Sequence, residues 1–415
     1  MTLKDHRDLE ISGATGAARD AFERALDAHL SWRSGAALEL ERALQAAPTF
    51  TMAHVLSAYF SLCSRDPALV RQAHASYEIA ASRPATPREQ LHVSAIGAVL
   101  ADELGAFKTI LHGLLEEYPR DVLALQKGHA LDYLTGDIEG MGARITAVLP
   151  AWSRDMPGYH AVLAMQAFSL VEAAHYERAD DRGLRALDLD PWDTRAHHAL
   201  THVHEMSGNA VAGMRWMRDR SVYWAADTVA ATHLWWHWAL FHLALGEIRT
   251  ALEVYDEHVR ASSSSDMADM IDASALLWRI ELLGGDAGGR WSELASAWES
   301  HTDDRYCTFN DVHAMLAHVG ARDWRGADRL EKALSRSQSD LTRYGETTRL
   351  IGLPVCRALI AFGRGNYARA IQTLGPLPAL AHRLGGSHAQ RDILYLTLLE
   401  AQQRVRRAPR STAAA

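Results

Sequence analysis

Apolar and small residues recur every three or four positions along most of this chain. The stretches come in pairs, divided by a short turn that often holds glycine and closed by proline. The segments ALFHLALGEIRTALEVYDEHV (239–259) and RALIAFGRGNYARAIQTLGPL (357–377) show the frame best. With Ala251 set on Ala370, Gly246 falls on Gly365, Ala239 on Ala358 and Tyr255 on Leu374. The same frame laid on 164–191 selects Ala167, Ala179, Ala186 and Pro191, and on 32–48 it selects Ala36, Leu40, Ala43 and Pro48. Each unit predicts two antiparallel helices, small where they must approach closely, with glycine supplying a left-handed turn. Such a hairpin leaves an apolar face that only a neighbouring hairpin can cover.

An all-α solenoid of helical hairpins follows, partly irregular because 61–100 and 285–350 fit the frame poorly, with no strand expected. The hairpins resemble tetratricopeptide repeats, whose period is about 34 residues; that resemblance implies a right-handed superhelix, here with the option of closing around a central pocket. Breaks are expected at SRDPALV (64–70), ASRPATPRE (81–89), RASSSSD (260–266) and LGGDAGGR (283–290). They suggest N-terminal hairpins over 1–60, irregular repeats over 61–157, core repeats rich in His and Trp over 158–260, C-terminal repeats over 261–400, and a basic frayed tail over 401–415.

Composition narrows the function classes. Of 415 residues 48% are hydrophobic, enough for a sizeable core, and a net charge of −8 argues against nucleic acid as an electrostatic partner. Three dispersed cysteines, Cys63, Cys307 and Cys356, give no disulfide or zinc framework and fit a reducing, cytoplasmic setting. The charged start MTLKDHRDLE has no apolar signal segment. Residues 228–246 lack Asp, Glu, Lys and Arg, but three histidines and the absence of a second such stretch favour a buried helix over a membrane span.

Candidate chemistry concentrates in HHALTHVHEMSGN (197–209). On a helix, His198, His202 and Glu205 share one face, while His197 and His204 point elsewhere. Two imidazoles one turn apart can chelate a metal, but two ligands without a third fixed one make a thin pattern, and no metal is assigned. Hydrogen bonding across a helix seam, acid–base or ligand contact, and metal binding all stay open. A second pair, His233 and His237, sits among Trp235, Trp236 and Trp238. If both pairs face inward, a polar pocket walled by tryptophan results.

Further along, Asp272 lies beside an apolar run and needs an Arg or His⁺ partner if buried. FNDVH (309–313) puts Asn310 or Asp311 at a helix start, with His313 in the first turn. In GGSHAQRD (385–392), Ser387 and Gln390 make a capping-box pattern, and Arg391 could offer counter-charge to an anion there. GRGNYA (363–368) follows a helix, not a strand, so it is a repeat turn and not a dinucleotide fingerprint.

Together LDLDPWDTRAHHALTHVHEMSGN, HLWWHWALFHLALGEIRTALEVYDEHV, DASALLWRIELLGGD, RWSELASAW, FNDVHAMLAHVGARD, GLPVCRALIAFGRGNYARA and LGGSHAQRDILYLTLLEA resemble the tetratricopeptide repeat protein 38 family. By position, His198, His202, Glu205, His233, Trp236, His237, Asp272, Asn310, Asp311, His313, Ser387, Gln390, Arg391 and Asp392 match that family's motif residues. The resemblance implies an α-solenoid and brings no settled reaction or cofactor.

Two functions are therefore expected. One is a polar internal pocket for a small, anionic ligand, with His202, Glu205 and His237 as acid–base candidates and His198, His233, Trp236, Asp272, Asn310, Asp311, His313, Ser387, Gln390 and Arg391 contacting it. The other is a scaffold binding a protein or peptide in a concave groove. Whether the chain is an enzyme stays open.

Overall fold

The computed structural model describes residues 3–62 and 66–407. Cys63 and the last eight residues of the basic tail lie outside that description. Residues up to Leu234 form one compact unit, and those from Trp235 onward form a second. This division coincides with none of the expected boundaries. It falls inside a helix, in a segment expected to be one block.

The first unit is a run of hairpins. Its helices are α1 (Gly16–Leu30) with α2 (Ala36–Ala46), α3 (Thr51–Leu62) with α4 (Pro67–Ala81), and α5 (Pro87–Leu100) with α6 (Leu104–Glu117). They continue as α7 (Val122–Thr135) with α8 (Ile138–Val148), α9 (Tyr159–Glu172) with α10 (Tyr176–Leu189), and α11 (Thr194–Met206) with α12 (Ala210–Asp219). The short α13 (Ser221–Trp224) leads into α14 (Ala231–Ala244), in which the division falls.

The second unit continues with α15 (Ile248–Val254), α16 (Met267–Leu282), α17 (Arg290–Glu299), α18 (Thr308–Gly320) and α19 (Trp324–Ser337). The short α20 (Arg343–Thr347) precedes α21 (Leu353–Gly363) and α22 (Tyr367–Leu374), and α23 (His388–Arg391) leads into α24 (Ile393–Arg407). The last helix thus runs well into the stretch expected to be frayed.

One turn geometry makes these hairpins. At Gly246 the backbone is left-handed (φ 78°), and the next N–H, of Glu247, reaches back to the His242 carbonyl. Gly365 repeats this (φ 76°), with Asn366 bonded to Ala361, as the alignment predicts. Asp102 (φ 59°) and Arg322 (φ 54°) take the same conformation without glycine. Asp102 borders one of the stretches that fit the frame poorly and Arg322 lies inside the other, so the turn survives where its sequence marker does not. Most of the small residues also fall where expected: Ala43, Ala167, Ala179, Ala186, Ala239, Ala251, Ala358 and Ala370 are all fully buried, whereas Ala36, the first residue of α2, is only half-buried.

The expectation of no strand needs one correction. Leu3–Lys4 pairs antiparallel with Glu10–Ile11. The Asp5 carboxylate accepts the N–H groups of Arg7 and Leu9 and folds the turn, while buried Arg7 forks onto Glu23 at 2.7–2.8 Å. Two-residue strands are too short to show any alternation.

Within the first unit the run bends back on its own beginning. The end of α1 and the turn after it meet the first helices of later hairpins. His29 touches Phe60 of α3 and Gln126 and Lys127 of α7, and Asp27 lies 3.4 Å from His160 of α9. The Thr194 N–H donates to the Ser31 carbonyl, and Val229 N–H to that of Trp32. Arg33 bridges Thr228 antiparallel, which closes the curve.

Candidate metal centre and ligand face

Helix α11 starts where Asp193 accepts the Ala196 N–H, and its other carboxylate oxygen takes a 2.7 Å bond from His160 Nδ1. Burial opposes charge on His160, but Asp193 and Asp27 outweigh it and raise its pKa to about 10. This ion pair pins α9 to the start of α11 and fixes how α11 presents its side chains.

His198 and His202 then point to one side, one turn apart, both buried. The Nε2 atoms of these two rings are 3.0 Å apart, and His198 Nε2 is also 3.1 Å from Nε2 of His233 on α14. His237 follows one turn further along the unbroken α14. The ligand nitrogens of His198, His202, His233 and His237 all lie within 4.8 Å of one another. The spacing of HHALTHVHE supplies only two ligands; the fold supplies the second pair.

Aromatic rings fix these imidazoles. Phe168 of α9 stacks on His198 (5.5 Å between centroids) and meets His202 edge-on, Trp32 packs on His198 at 5.2 Å, and Trp236 meets His237 edge-on at 4.8 Å. His197 and His204 are peripheral, as expected: His197 Nε2 bonds the Pro191 carbonyl, and His204 faces Trp216. Glu205 is half-buried on the following turn.

Beside this cluster lies a polar face that sequence reasoning misses. Lys127 is 1% exposed, with its ammonium 2.8 Å from His29 Nε2. Arg195 stacks its guanidinium over Trp32 at 4.5 Å. Burial, with the charges of Lys127 and Arg195, holds His29 well below its ordinary pKa. Burial and Arg195 likewise push His129 down to about 3. Both imidazoles are therefore neutral acceptors or donors beside fixed cations. Lys127 within QKGH (126–129) reads in sequence like an ordinary solvated lysine, so no local signal marks this face.

The remaining candidates belong to the second unit. Asp311 is buried and accepts the Tyr344 hydroxyl at 2.9 Å; burial raises its pKa to about 7. His313 Nδ1 donates to the Phe309 carbonyl at 2.7 Å. Asn310 is not a cap, because α18 already begins at Thr308. Ser387 and Gln390 form the expected capping box, each accepting the other's N–H. Arg391 is buried and bonded to the Gly386 carbonyl. Trp236 lies under the Arg279 guanidinium at 5.3 Å, and Arg279 also bonds Ala389 O and Asp392. Asp272 is buried in α16. The fold brings the two histidine pairs together, while Asp272, Asn310, Asp311, His313, Ser387, Gln390 and Arg391 all belong to the second unit.

Helix α14, the segment most apolar in sequence, has 14 residues and is about 21 Å long, short of a bilayer's apolar core of about 30 Å. Among the described residues no helix is long and apolar enough to cross a membrane.

No protein-family model matches the chain. Among solved structures it is similar to the tetratricopeptide-repeat domain of P58(IPK), at 14% identity over 95% of this chain and 99% of that one, with a TM-score of 0.21. So loose a superposition carries nothing about function. The tetratricopeptide-like character rests on the hairpins, their buried alanines and their left-handed turns.

Proposed function

We propose that the first unit binds a small anionic molecule on its inner face, beside the histidine cluster. The observation that carries this reading is the position of the α1 end. His29 and Trp32 sit against α3, α7 and α11, so the inner side is occupied by the chain's own first hairpin, and little is left of an open groove for an extended peptide. Buried Lys127 and half-buried Arg195 supply cationic donors, and neutral His29 and His129 supply further hydrogen bonds. Half-buried Phe168, Trp32 and Tyr133 give the apolar wall of a small-ligand site. Acid–base chemistry at His202, Glu205 and His237 belongs to the same reading for the chain without a metal ion, as does membership of the tetratricopeptide repeat protein 38 family on the motifs quoted above; with an ion on the histidines, Glu205 is the group left for it.

The test is isothermal titration of the full chain with inorganic phosphate and with small mono- and dicarboxylates. Binding that Lys127→Met or Arg195→Gln weakens at least tenfold, and Arg391→Met leaves intact, supports the inner face. Binding indifferent to Lys127 and Arg195, or no binding at millimolar anion, refutes it and returns the chain to the class of peptide-binding scaffolds.

A further inference from the structure

The three imidazoles His198, His202 and His233 pose a problem that protons cannot solve. An imidazole Nε2 carries either one hydrogen or one lone pair, each lying in the ring plane along a single direction. His198 Nε2 faces two other Nε2 atoms, at 3.0 and 3.1 Å. If it holds a hydrogen, it can point that hydrogen at one neighbour only. If it holds a lone pair, it can accept from one only. Either way, one short contact between like nitrogens has no hydrogen in it.

One cation resolves every contact, because all the lone pairs can then converge on it. Tetrahedral coordination at about 2.0–2.1 Å places the ligand nitrogens about 3.3–3.4 Å apart. The observed separations lie a few tenths of an ångström inside that edge, and the ligand atom of His237 lies within 4.8 Å of the other three. The pattern is two HxxxH pairs on two helices, each pair spaced by one turn so that both rings face the same side.

We propose that His198, His202, His233 and His237 bind one divalent transition-metal ion of the zinc class. Imidazole donors without a carboxylate in the set select zinc, copper, nickel or cobalt over magnesium or calcium. Four neutral ligands leave the ion its double positive charge, so the centre attracts anions. The aromatic packing of Phe168, Trp32 and Trp236 holds the rings in place before the ion arrives, and half-buried His233 marks the side from which it enters. The site adjoins the anion-binding face proposed above, but it does not depend on that reading, since metal binding is measured with no organic ligand present.

The experiment uses the full chain, stripped with a chelator and checked for helical circular dichroism, then titrated with Zn²⁺ alone. Expected are one ion per chain by elemental analysis, a visible cobalt(II) spectrum of tetrahedral type, and a melting temperature that rises with zinc. His198→Ala and His233→Gln should each lower zinc affinity on the order of 100-fold or more. His197→Ala and His204→Ala, neighbours outside the cluster, should bind as the parent does. If His198→Ala fails to fold, the His233→Gln chain reads the same question, because that ring is only half-buried. A folded, stripped parent that takes up no zinc at micromolar concentration overturns the proposal. So does undiminished uptake by both cluster variants, which would put the ion elsewhere. Lys127→Met should leave zinc affinity unchanged, so failure of the anion reading and failure of the metal reading are separable.

Discussion

The His160–Asp193 pair gives the sharpest quantitative prediction. His160 is raised from an ordinary 6.5 to about 10, because Asp193 at 2.7 Å and Asp27 at 3.4 Å hold its proton against the cost of burial. At about 1.36 kcal/mol per pKa unit, that shift corresponds to at most about 5 kcal/mol. Asp27 is largely exposed and its share is screened, so about 3–4 kcal/mol is the working figure. For a histidine raised on folding, the stabilisation is complete below the unfolded value near 6.5. It is lost progressively as pH rises through 10, because the folded state binds the extra proton only in that window.

The variant His160→Gln keeps bulk and a hydrogen-bond donor but loses the charge. Urea denaturation of parent and variant, followed by far-ultraviolet circular dichroism from pH 6 to 10.5, isolates the pair from all other titrations. The gap between the two curves should be widest near pH 6 and should narrow to about 1 kcal/mol above pH 10. A gap that stays constant across the range would refute the ion-pair reasoning and leave only packing at that position.

Further outcomes follow from other sites. Ionising buried Asp311 is unfavourable in the folded chain, where its pKa is about 7 against 3.8, so it lowers stability as pH rises from about 4 to 7; Asp311→Asn, which still accepts from Tyr344, should flatten that slope in thermal melts and stabilise the chain at pH 8. Gly320→Ala should destabilise by about 1–3 kcal/mol although alanine favours helix, since its Cβ would lie within 2.8 Å of the Trp291 ring; a gain in melting temperature would contradict this packing. Arg322→Gly should stabilise by about 0.5–1 kcal/mol by removing a left-handed non-glycine residue from a hairpin turn, again read by thermal melt.

The hairpins were legible because their physical requirements are local. A close helix crossing needs alanine, a left-handed turn prefers glycine, and both show in the alignment of 239–259 with 357–377. Where Asp102 and Arg322 take the left-handed turn instead, the pattern fades while the geometry persists, because tertiary packing can hold a residue in a conformation that its own preference disfavours. The histidine site was legible only by halves. Helical spacing puts His198 with His202 and His233 with His237, but which helices meet is a property of the whole array. Lys127 and Arg195 escaped notice because a single basic residue on a helix ordinarily faces water. Nothing in their neighbours in sequence says that the end of α1 will arrive against them. The capping box at Ser387 and Gln390 was legible too, because its spacing is local.

The bonds from Ser31, Trp32 and Arg33 to Thr194, Val229 and Thr228 also bear on how such a chain can evolve. An open solenoid tolerates the gain or loss of a repeat, since each hairpin meets only its neighbours. Here a hairpin inserted anywhere between Ala36 and Leu189 would carry Thr194 away from Ser31 and part His198 from Trp32. The number of repeats in the first unit is therefore frozen by closure, and change can enter only through side chains on the inner face or through loops on the outer one. Natural length variants of this unit should differ in their loops while keeping the count of hairpins between its two closing ends.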